Sequence, residues 1–251
     1  KIEIMQNKKT NFGFKEVFWD EKYKLVKDVF SGVAPVYDLM NDLMSLGVHR
    51  IWKKQFVDLI LENKSTNLLD VGGGTGDIVF KLKKLQQNID TYVLDINKEM
   101  LLRGVERSLD LGYLNKITWL LGNAENLPIK DSSFSAYSTA FCFRNLTNIQ
   151  EALKEAFRVL KKGGRFYCLE FSKIDNESLA KLYNLWSFKV IPKIGKMVAK
   201  NKDAYQYLVE SIAKFFNAQD FKQLITEAGF SNVTYKSLSF GIACIHTGVK
   251  L

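Results

Sequence analysis

The chain has 251 residues, of which 47% are hydrophobic and 25% charged, so it can bury a core and is not a disordered tail. Its 36 lysines and arginines outnumber its 27 acids and give a formal net charge of +9, which favours anionic partners such as nucleic acid, a phospholipid surface or a phosphorylated substrate. Three scattered cysteines argue against a disulfide framework or a zinc site, and no uncharged run reaches the ~18 residues that cross a bilayer.

Residues 1–62 are predicted to form an N-terminal helical cap. Helical spacing of apolar residues predicts helices over Asp20–Phe30 and Ile51–Leu61, and the acids Asp20 and Glu21 suit the positive end of the first helix dipole. Lys1–Lys15, by contrast, is expected to be a loose basic leader.

Apolar strands and amphipathic helices alternate after residue 63. In chain order the predicted elements are strand Asn67–Val71, helix Ile78–Leu85, strand Thr91–Leu94, helix Lys98–Leu109, strands Ile117–Leu121 and Ser135–Phe141, helix Ile149–Leu160, strand Arg165–Phe171, helix Lys222–Ala228, and strands Val233–Leu238 and Ile242–Val249. Strands separated by helices pair in parallel, whereas the last two lie too close for a crossover helix and must pair antiparallel. The sequence therefore predicts an α/β fold: a doubly wound, mostly parallel seven-stranded sheet ending in an antiparallel hairpin, with N-terminal helices and a helical lid insertion.

Nothing in the chain marks a domain boundary, because repeats, low-complexity tracts and Pro/Gly/Ser linkers are all absent from the sequence. We therefore expect a single domain over residues 1–251. Its predicted parts are the cap, a cofactor-binding core at 63–175, a helical lid at 176–220, and a C-terminal helix and hairpin at 221–251. A parallel sheet that finishes in an antiparallel hairpin is the pattern of class I methyltransferases rather than of dehydrogenases.

Three glycines, Gly72, Gly74 and Gly76, follow a predicted strand and open a predicted helix. Glycine turns the chain tightly and lets a ligand approach the backbone, and the first amides of a helix bind carboxylate or other anionic groups. The dinucleotide pattern Gly-x-Gly-x-x-Gly fails, because Asp77 stands at its third glycine. The spacing suits a cofactor without a pyrophosphate but with an amino-acid tail, such as S-adenosylmethionine.

Polar residues at two further strand ends complete the predicted cofactor site. Asp95 lies twenty-three residues after Gly72, where an acid accepts the ribose hydroxyls and disfavours a 2′-phosphate. Asn123 and Ala124 close the third strand, where an adenine could lie beside backbone carbonyl and amide groups. The alternative is that the glycines form only a tight turn and that Asp95 caps the helix beginning at Lys98.

Two segments resemble signatures of the ubiquinone/menaquinone biosynthesis C-methyltransferase family. The first is Tyr37–Lys53, with the sequence YDLMNDLMSLGVHRIWK, and the second is Arg158–Ser172, with RVLKKGGR followed by LEFS. Phe141–Asn145, with FCFRN, resembles the family motif Phe-Gly-x-Arg-Asn. The similarity runs from about Phe12 to Leu251, and the length and unusual composition of the first segment make it specific.

The resemblance implies C-methylation of a polyprenyl-substituted benzoquinol, and in some members of demethylmenaquinol, with S-adenosylmethionine as the methyl donor. It implies cofactor contacts at Thr75, Asp95, Asn123 and Ala124. It implies that the quinol is organised by Tyr37, Arg144 and Asn145.

Three positions depart from the family pattern. Ala140 stands where many members have a cofactor-contacting serine, so that only its backbone could serve the cofactor. Cys142 replaces the glycine of the Phe-Gly-x-Arg-Asn motif, and both changes could reshape the site. Lys162 replaces the proline of Leu-Lys-Pro-Gly-Gly, which is interpreted as ordinary turn variation.

Methyl transfer to carbon needs a nucleophilic ring carbon held in line with a sulfonium methyl group, so orientation is a large part of the catalysis. A quinol carbon becomes nucleophilic when a neighbouring hydroxyl loses its proton. Arg144 can stabilise the oxyanion but is a poor base, so a water polarised between Arg144, Asn145 and Tyr37 is one predicted relay. The alternative bases are Asp38, His49 and Glu170.

Structural roles compete with several of these assignments. Tyr37 could be a half-buried helix residue whose hydroxyl lies at the surface, and His49 could simply face solvent. His246, in the last predicted strand, is interpreted as structural. Arg144 lies in an otherwise apolar stretch, and a charge placed there needs a partner.

Residues 178–202 contain six lysines and no acid, interleaved with apolar and aromatic residues. Such a basic amphipathic stretch can lie in a membrane interface, which predicts a peripheral membrane contact. The alternative, equally weighted, is a helix that covers the substrate and whose lysines are solvated.

Other expectations concern partners and location. The polyprenyl quinol is the expected substrate partner, with a homodimer or a quinone-biosynthesis complex as further assemblies, and no metal is expected. The expected location is the cytoplasm, peripheral to the inner membrane, or the mitochondrial matrix in a eukaryote. The alternatives are a nucleic-acid or other small-molecule methyltransferase and a non-enzymatic quinone-binding module. The net charge suggests the first alternative. However, the motifs of nucleic-acid methyltransferases contain Pro-Pro or Pro-Cys, and neither dipeptide occurs in this sequence, so no nucleic-acid partner is expected.

Overall fold

A seven-stranded sheet organises the computed structural model, which describes residues 8–33, 42, 45, 47–63, 65–86, 88–113, 115–174, 181, 183, 185–190 and 202–251. The strands are β1 Lys9–Phe12, β2 Lys15–Phe18, β3 Asn67–Val71, β4 Asp90–Asp95, β5 Ile117–Leu121, β6 Phe134–Ala140, β7 Leu160–Phe171, β8 Ser231–Leu238 and β9 Ala243–Val249. The α-helices are α1 Trp19–Val33, α2 His49–Leu61, α3 Asp77–Leu85, α4 Lys98–Asp110, α5 Ile149–Val159, α6 Lys202–Lys214 and α7 Ala218–Glu227. Shorter turns are 3-10 helices at Phe143–Asn145 and Ser239–Gly241 and a π-helical turn at Trp186–Val190.

The strand order in the large sheet is β5-β4-β3-β6-β7-β9-β8. Strands β3 to β7 pair in parallel, and β9 runs antiparallel to both β7 and β8. The predicted doubly wound sheet with an antiparallel end is therefore confirmed. Because the strand order reverses between β3 and β6, a crevice opens there outside the carboxyl ends of the strands.

Helices cover both faces of the sheet. One face packs on a cluster that includes Trp52 and Phe56 of α2 and Tyr205 of α6, all at most 2% exposed. The other face packs on a cluster that includes Leu153 of α5 and Phe221 of α7, both fully buried. The two helical layers sandwich the parallel strands, and a ligand crevice is expected outside the carboxyl ends of these strands.

The prediction of a loose leader is wrong for the part of it that the structure describes; residues 1–7 lie outside the described chain. β1 and β2 form an antiparallel hairpin, in which Thr10 pairs with Val17. Phe12 stacks on Tyr207 of α6 with ring centroids 4.1 Å apart, and the amide of Phe14 donates to Glu210 Oε2 at 3.0 Å. These short, charged strands give a weak sequence signal, and contacts with a distant helix stabilise them instead.

Other boundaries moved by a few residues. β7 begins at Leu160, which pairs with Phe134, so the segment predicted as the end of a helix and a turn starts this strand. In the predicted lid, the described residues include the π-helical turn and α6. Within the described parts of the chain, no helix combines the length and apolar character needed to cross a bilayer.

Candidate cofactor and substrate site

A cavity of about 270 Å³ lies at the carboxyl ends of β3, β4 and β6, where the sheet topology opens its crevice. Its lining includes most of the predicted cofactor residues, namely Gly72, Gly74, Thr75, Asp95, Asn123, Ala124 and Ala140. Gly76 is not part of the lining; it starts α3 from the left-handed region, with φ at 82°. The sequence thus predicted one shared site from residues on several separate strands and loops.

The glycine loop brings backbone close to this cavity. Gly72 and Gly74 have φ angles of 66° and 52°, a region that side chains rarely adopt. A Cβ at Gly72 would collide with Cys142 Sγ, and one at Gly73 would lie 2.7 Å from Asp70 Oδ2. The loop therefore needs glycine both for its turn and for its packing.

Asp95 is held by backbone donors on two sides. Its Oδ2 accepts from the Gly74 amide at 2.9 Å, and its Oδ1 accepts from the Asn97 amide at 2.8 Å. Burial raises the pKa of this carboxyl. The alternative that Asp95 caps the following helix is wrong, because the cap of α4 is Asn97, whose Oδ1 accepts from the Met100 amide at 3.2 Å. A carboxylate oxygen accepts two bonds, so Asp95 retains acceptor capacity.

Asp70 is a site residue that sequence reasoning missed. It lies at the end of β3, is 1% exposed and lines the cavity. Its Oδ1 accepts from the Ser138 hydroxyl at 2.7 Å, while Oδ2 has no hydrogen-bond partner in the described part of the chain. Burial raises the pKa of Asp70 to about 7. The available signal was an acid two residues before Gly72, in a mostly apolar strand.

The structure does not bring Arg144 onto the lining of this cavity. Its Nη1 donates to Glu170 Oε1 at 2.9 Å and to the carbonyl of Phe141, and both side chains of the ion pair are 1% exposed. Burial raises the pKa of Glu170, although the guanidinium opposes this shift. The ion pair ties the loop after β6 to the end of β7.

Asn145, by contrast, lines the cavity, together with Phe141. Its Nδ2 donates to the Phe141 carbonyl at 3.3 Å, and its Oδ1 accepts from the Tyr207 hydroxyl at 3.0 Å. Phe141 itself has φ at 57°, an unusual value for an aromatic residue, so the backbone of this loop is strained. Tyr207, which sequence reasoning missed, lies on α6 and so links this helix to the loop.

α1 supplies one wall of the cavity. Trp19, Tyr23, Val26 and Phe30 lie along one side of this helix and line the cavity. The helical spacing that predicts this helix includes Tyr23, Val26 and Phe30, but it does not indicate that they face a ligand. These four side chains give the cavity an apolar surface, and Asp20 and Lys27 of the same helix add two charged residues to its lining.

The remaining predicted site residues lie elsewhere. Tyr37 and Asp38 lie outside the described residues. His49 does not face solvent: it is 3% exposed and its Nε2 bonds to Asp42 Oδ1 at 2.8 Å. His246 is structural as predicted, since it is buried and donates to the Ala218 carbonyl at 2.9 Å, and burial lowers its pKa to about 4.

The fold and the cavity define a class I S-adenosylmethionine-dependent methyltransferase. Solved structures with the same fold include a SAM-dependent methyltransferase from Thermotoga maritima, with a TM-score of 0.61 and 21% identity over 90% of this chain and 100% of that one. Another, from Aquifex aeolicus, has a TM-score of 0.55 and 18% identity over 74% of this chain and 82% of that one. At these identities the likeness concerns the fold alone.

Sequence comparison gives the family. The model of the ubiE/COQ5 methyltransferase family matches residues 17–250, and the chain belongs to this family. A Rickettsia prowazekii relative named ubiquinone/menaquinone biosynthesis C-methyltransferase UbiE is 49% identical over 96% of this chain and 99% of its own length. A Dictyostelium discoideum relative named 2-methoxy-6-polyprenyl-1,4-benzoquinol methylase, mitochondrial, is 44% identical over 99% of this chain and 88% of its own length. The chain is therefore an S-adenosylmethionine-dependent C-methyltransferase of the ubiquinone pathway, which confirms the predicted family, activity and cofactor.

Proposed function

We propose that the chain methylates a ring carbon of a polyprenyl benzoquinol, and that demethylmenaquinol is a second acceptor. The observation that carries this proposal is the near full-length identity of 44–50% to relatives whose names state these pathways or this substrate. The cavity supports it, because its lining combines apolar side chains of α1 with polar residues at the strand ends, as a quinol with an apolar tail requires.

The residues around the glycine loop fit S-adenosylmethionine. When bound, this cofactor supplies an electrophilic methyl group on a sulfonium. Asp70 Oδ2, buried and without a partner in the described chain, suits the ammonium of the methionine part. Asp95 would hold the ribose hydroxyls, and Asn123 with Ala124 would lie beside the adenine. Thr75, the backbone of Ala140 and the turn formed by the three glycines Gly72, Gly74 and Gly76 would complete the cofactor-binding site.

On the quinol side, we propose that Asn145 and Tyr37 orient the ring, and that Arg144 acts by positioning Asn145. The carbonyl of Phe141 accepts from both Arg144 and Asn145, so the buried ion pair with Glu170 fixes the loop that carries Asn145. An oriented amide beside the reacting ring lowers the entropic part of the barrier. The role of Tyr37 rests on the family resemblance.

We further propose one domain over residues 1–251, with the cap at 1–62, the core at 63–175, the lid at 176–220 and the C-terminal helix and hairpin at 221–251. Contact of residues 178–202 with an anionic membrane is part of the proposal, and exposed Lys181 and Lys189 support it. A mitochondrial location in a eukaryote is also part of the proposal, because the names of the relatives in Dictyostelium discoideum and Mus musculus include the word "mitochondrial". A homodimer or a quinone-biosynthesis complex is the proposed assembly.

Turnover on a defined acceptor tests the substrate. Purified chain is incubated with isotope-labelled S-adenosylmethionine and a short-tailed benzoquinol kept reduced, and the product is identified by mass spectrometry. One labelled methyl group on a ring carbon is the expected result. If the label were transferred to added RNA or DNA and not to the quinol, the result would instead establish the nucleic-acid alternative.

A further inference from the structure

A second cavity, of about 470 Å³, lies between the β1–β2 hairpin, α1, the start of α5 and the end of α6. It shares Trp19, Leu146 and Thr147 with the cofactor cavity but includes neither the glycine loop nor Asp95. Methyl transfer as described above uses none of its remaining lining except Tyr207 and Arg144. The cavity is therefore a separate place for a ligand.

The charged residues of its lining are all basic: Lys8, Lys9, Lys22, Arg144 and Lys214, with no acid among the described lining residues. Three of these charges have an acid nearby: Arg144 pairs with Glu170, Lys9 Nζ lies 2.8 Å from Glu16 Oε2, and Lys22 interacts with Glu125, which lies outside this lining. Lys8 and Lys214 instead lie over aromatic rings, at 5.0 Å and 5.9 Å from the ring centroids. The cavity therefore keeps an excess of positive charge, which attracts anions.

Lys22 is a buried cation in this lining, since the residue is only 4% exposed. Its Nζ donates to the Leu146 carbonyl at 2.6 Å, which uses one of the three N–H donors of an ammonium. Burial lowers the pKa of Lys22 to about 8, against the opposing effect of Glu125. With this pKa Lys22 keeps its positive charge at neutral pH, and an anion in the cavity would accept from the N–H donors that do not point at the Leu146 carbonyl.

The positive end of α5 faces the same cavity. Asn148 caps this eleven-residue helix by accepting from the Glu151 amide at 3.2 Å, and Ile149 and Gln150 of the first turn line the cavity. First-turn amides have no partner within their own helix and carry the positive end of its dipole. Lysines from three elements and a helix N-terminus thus converge on one space.

We propose that this cavity binds a phosphate group, held by Lys22, Lys214 and the first turn of α5. A phosphate carries up to two charges at neutral pH and three strong acceptor oxygens, so it can use donors that approach from several directions. It could belong to a phospholipid headgroup or to free phosphate or pyrophosphate. Phe14 and Phe18 of the adjacent hairpin are 52% and 46% exposed, which suits a headgroup at a membrane surface.

Calorimetry in low salt tests the free anions. The full chain is saturated with S-adenosylhomocysteine, so that the glycine loop is filled, and is titrated with inorganic phosphate and with pyrophosphate. Lys22→Met and Lys214→Ala should each weaken binding about tenfold or more, the scale for losing a charged hydrogen-bond donor. Lys162→Ala is the matched control, because it removes an exposed lysine remote from the cavity and should leave binding unchanged.

Vesicles of neutral phosphatidylcholine, with and without phosphatidic acid, test the headgroup source in a flotation assay with the same variants. Binding that needs phosphatidic acid and is lost in Lys214→Ala supports the proposal with a lipid source, whereas calorimetric binding supports a free anion. Lys214 is exposed, so its variant keeps the test valid if Lys22→Met fails to fold. Absence of binding in both assays, or an equal loss in Lys162→Ala, would overturn the proposal.

Discussion

At the scale of single residues, Asp95 joins the glycine loop to the start of α4 through one carboxylate, with accepted bonds from Gly74 and Asn97. If it also accepts the ribose hydroxyls, Asp95→Ala should weaken S-adenosylhomocysteine binding by ~1–3 kcal/mol. Asp95→Asn keeps one acceptor oxygen and should lose less. Isothermal titration calorimetry measures both, and equal affinities for wild type and Asp95→Ala would remove Asp95 from the site.

The raised pKa of Asp70, about 7, predicts a pH dependence of cofactor binding. A bound ammonium favours the ionised carboxylate, so affinity for S-adenosylhomocysteine should rise with pH up to about 7, by at most about tenfold per pH unit. Asp70→Asn should flatten this rise, and any dependence that remains would report Asp95, whose pKa is also raised. Calorimetry between pH 5.5 and 8, flanking the pKa, measures the slope, and identical slopes in both proteins would contradict the assignment.

The same pKa shift acts on stability with the opposite sign. Because the folded carboxyl of Asp70 binds its proton more tightly than the unfolded one, stability without cofactor is highest below pH 4 for this group and falls as pH rises towards 7. This carboxylate is therefore tolerated at neutral pH as part of a binding site rather than as a source of stability.

Arg144 and Glu170 form a buried pair, so removing one partner leaves the other charge uncompensated. Arg144→Ala should destabilise the fold by ~3–5 kcal/mol and lower quinol turnover, because the loop that carries Asn145 loosens. Arg144→Lys keeps the charge but not the planar fork and should also turn over more slowly. Affinity for S-adenosylhomocysteine should stay close to wild type in both variants. Normal quinol turnover in Arg144→Ala would exclude the positioning role, and lost cofactor binding would reassign the residue.

At the scale of elements, the sequence predicted the core strands well because buried parallel strands are short apolar runs. The predicted and observed strands Asn67–Val71 and Ile117–Leu121 have the same first and last residues. The β1–β2 hairpin could not be found this way, since its side chains are mostly exposed and its stability comes from Phe12 on Tyr207 and from Glu210. A local sequence pattern predicts elements that bury their own apolar residues. It misses elements that are stabilised by contacts with residues far away in the sequence.

Tyr207 tests whether α6 supports the quinol side of the cavity. Its hydroxyl donates to Asn145 Oδ1 at 3.0 Å, and the residue is 4% exposed. Tyr207→Phe should therefore lower kcat/KM for the quinol several-fold and cost ~1 kcal/mol of stability, with little effect on cofactor affinity. Tyr235→Phe, at a position 40% exposed on β8, is the control. Steady-state kinetics with wild-type values in Tyr207→Phe would show that this bond does not support catalysis.

At the scale of the whole molecule, the sequence could predict only those residues of the candidate site that lie at the ends of strands. Gly72, Asp95 and Asn123 are separate in sequence, yet a parallel sheet brings its carboxyl ends to one edge, so their convergence followed from the topology. Arg144 stands at the same edge, but the sequence could not reveal that Glu170 would draw its side chain away. Side-chain pairing across two strands depends on packing that no local pattern encodes.

The net charge of +9 is the other whole-molecule property, and residues 178–202 concentrate part of it. The lysines there are Lys181, Lys189, Lys193, Lys196, Lys200 and Lys202. Each lysine near an anionic surface contributes ~1 kcal/mol, and the attraction decays over a Debye length of about 8 Å at physiological salt. Flotation with anionic liposomes should therefore fall steeply with salt, and should be nearly lost when all six lysines are replaced by glutamine.

A matched charge change elsewhere separates this segment from the general charge of the protein. Replacing exposed Lys84, Lys98, Lys116, Lys130, Lys161 and Lys236 by glutamine lowers the net charge equally but leaves residues 178–202 intact. This control should retain most of the liposome binding if the segment itself contacts the membrane, because screened charges act only at short range. Equal losses in the two variants would mean that the overall charge drives binding, and no binding at low salt would exclude the membrane contact.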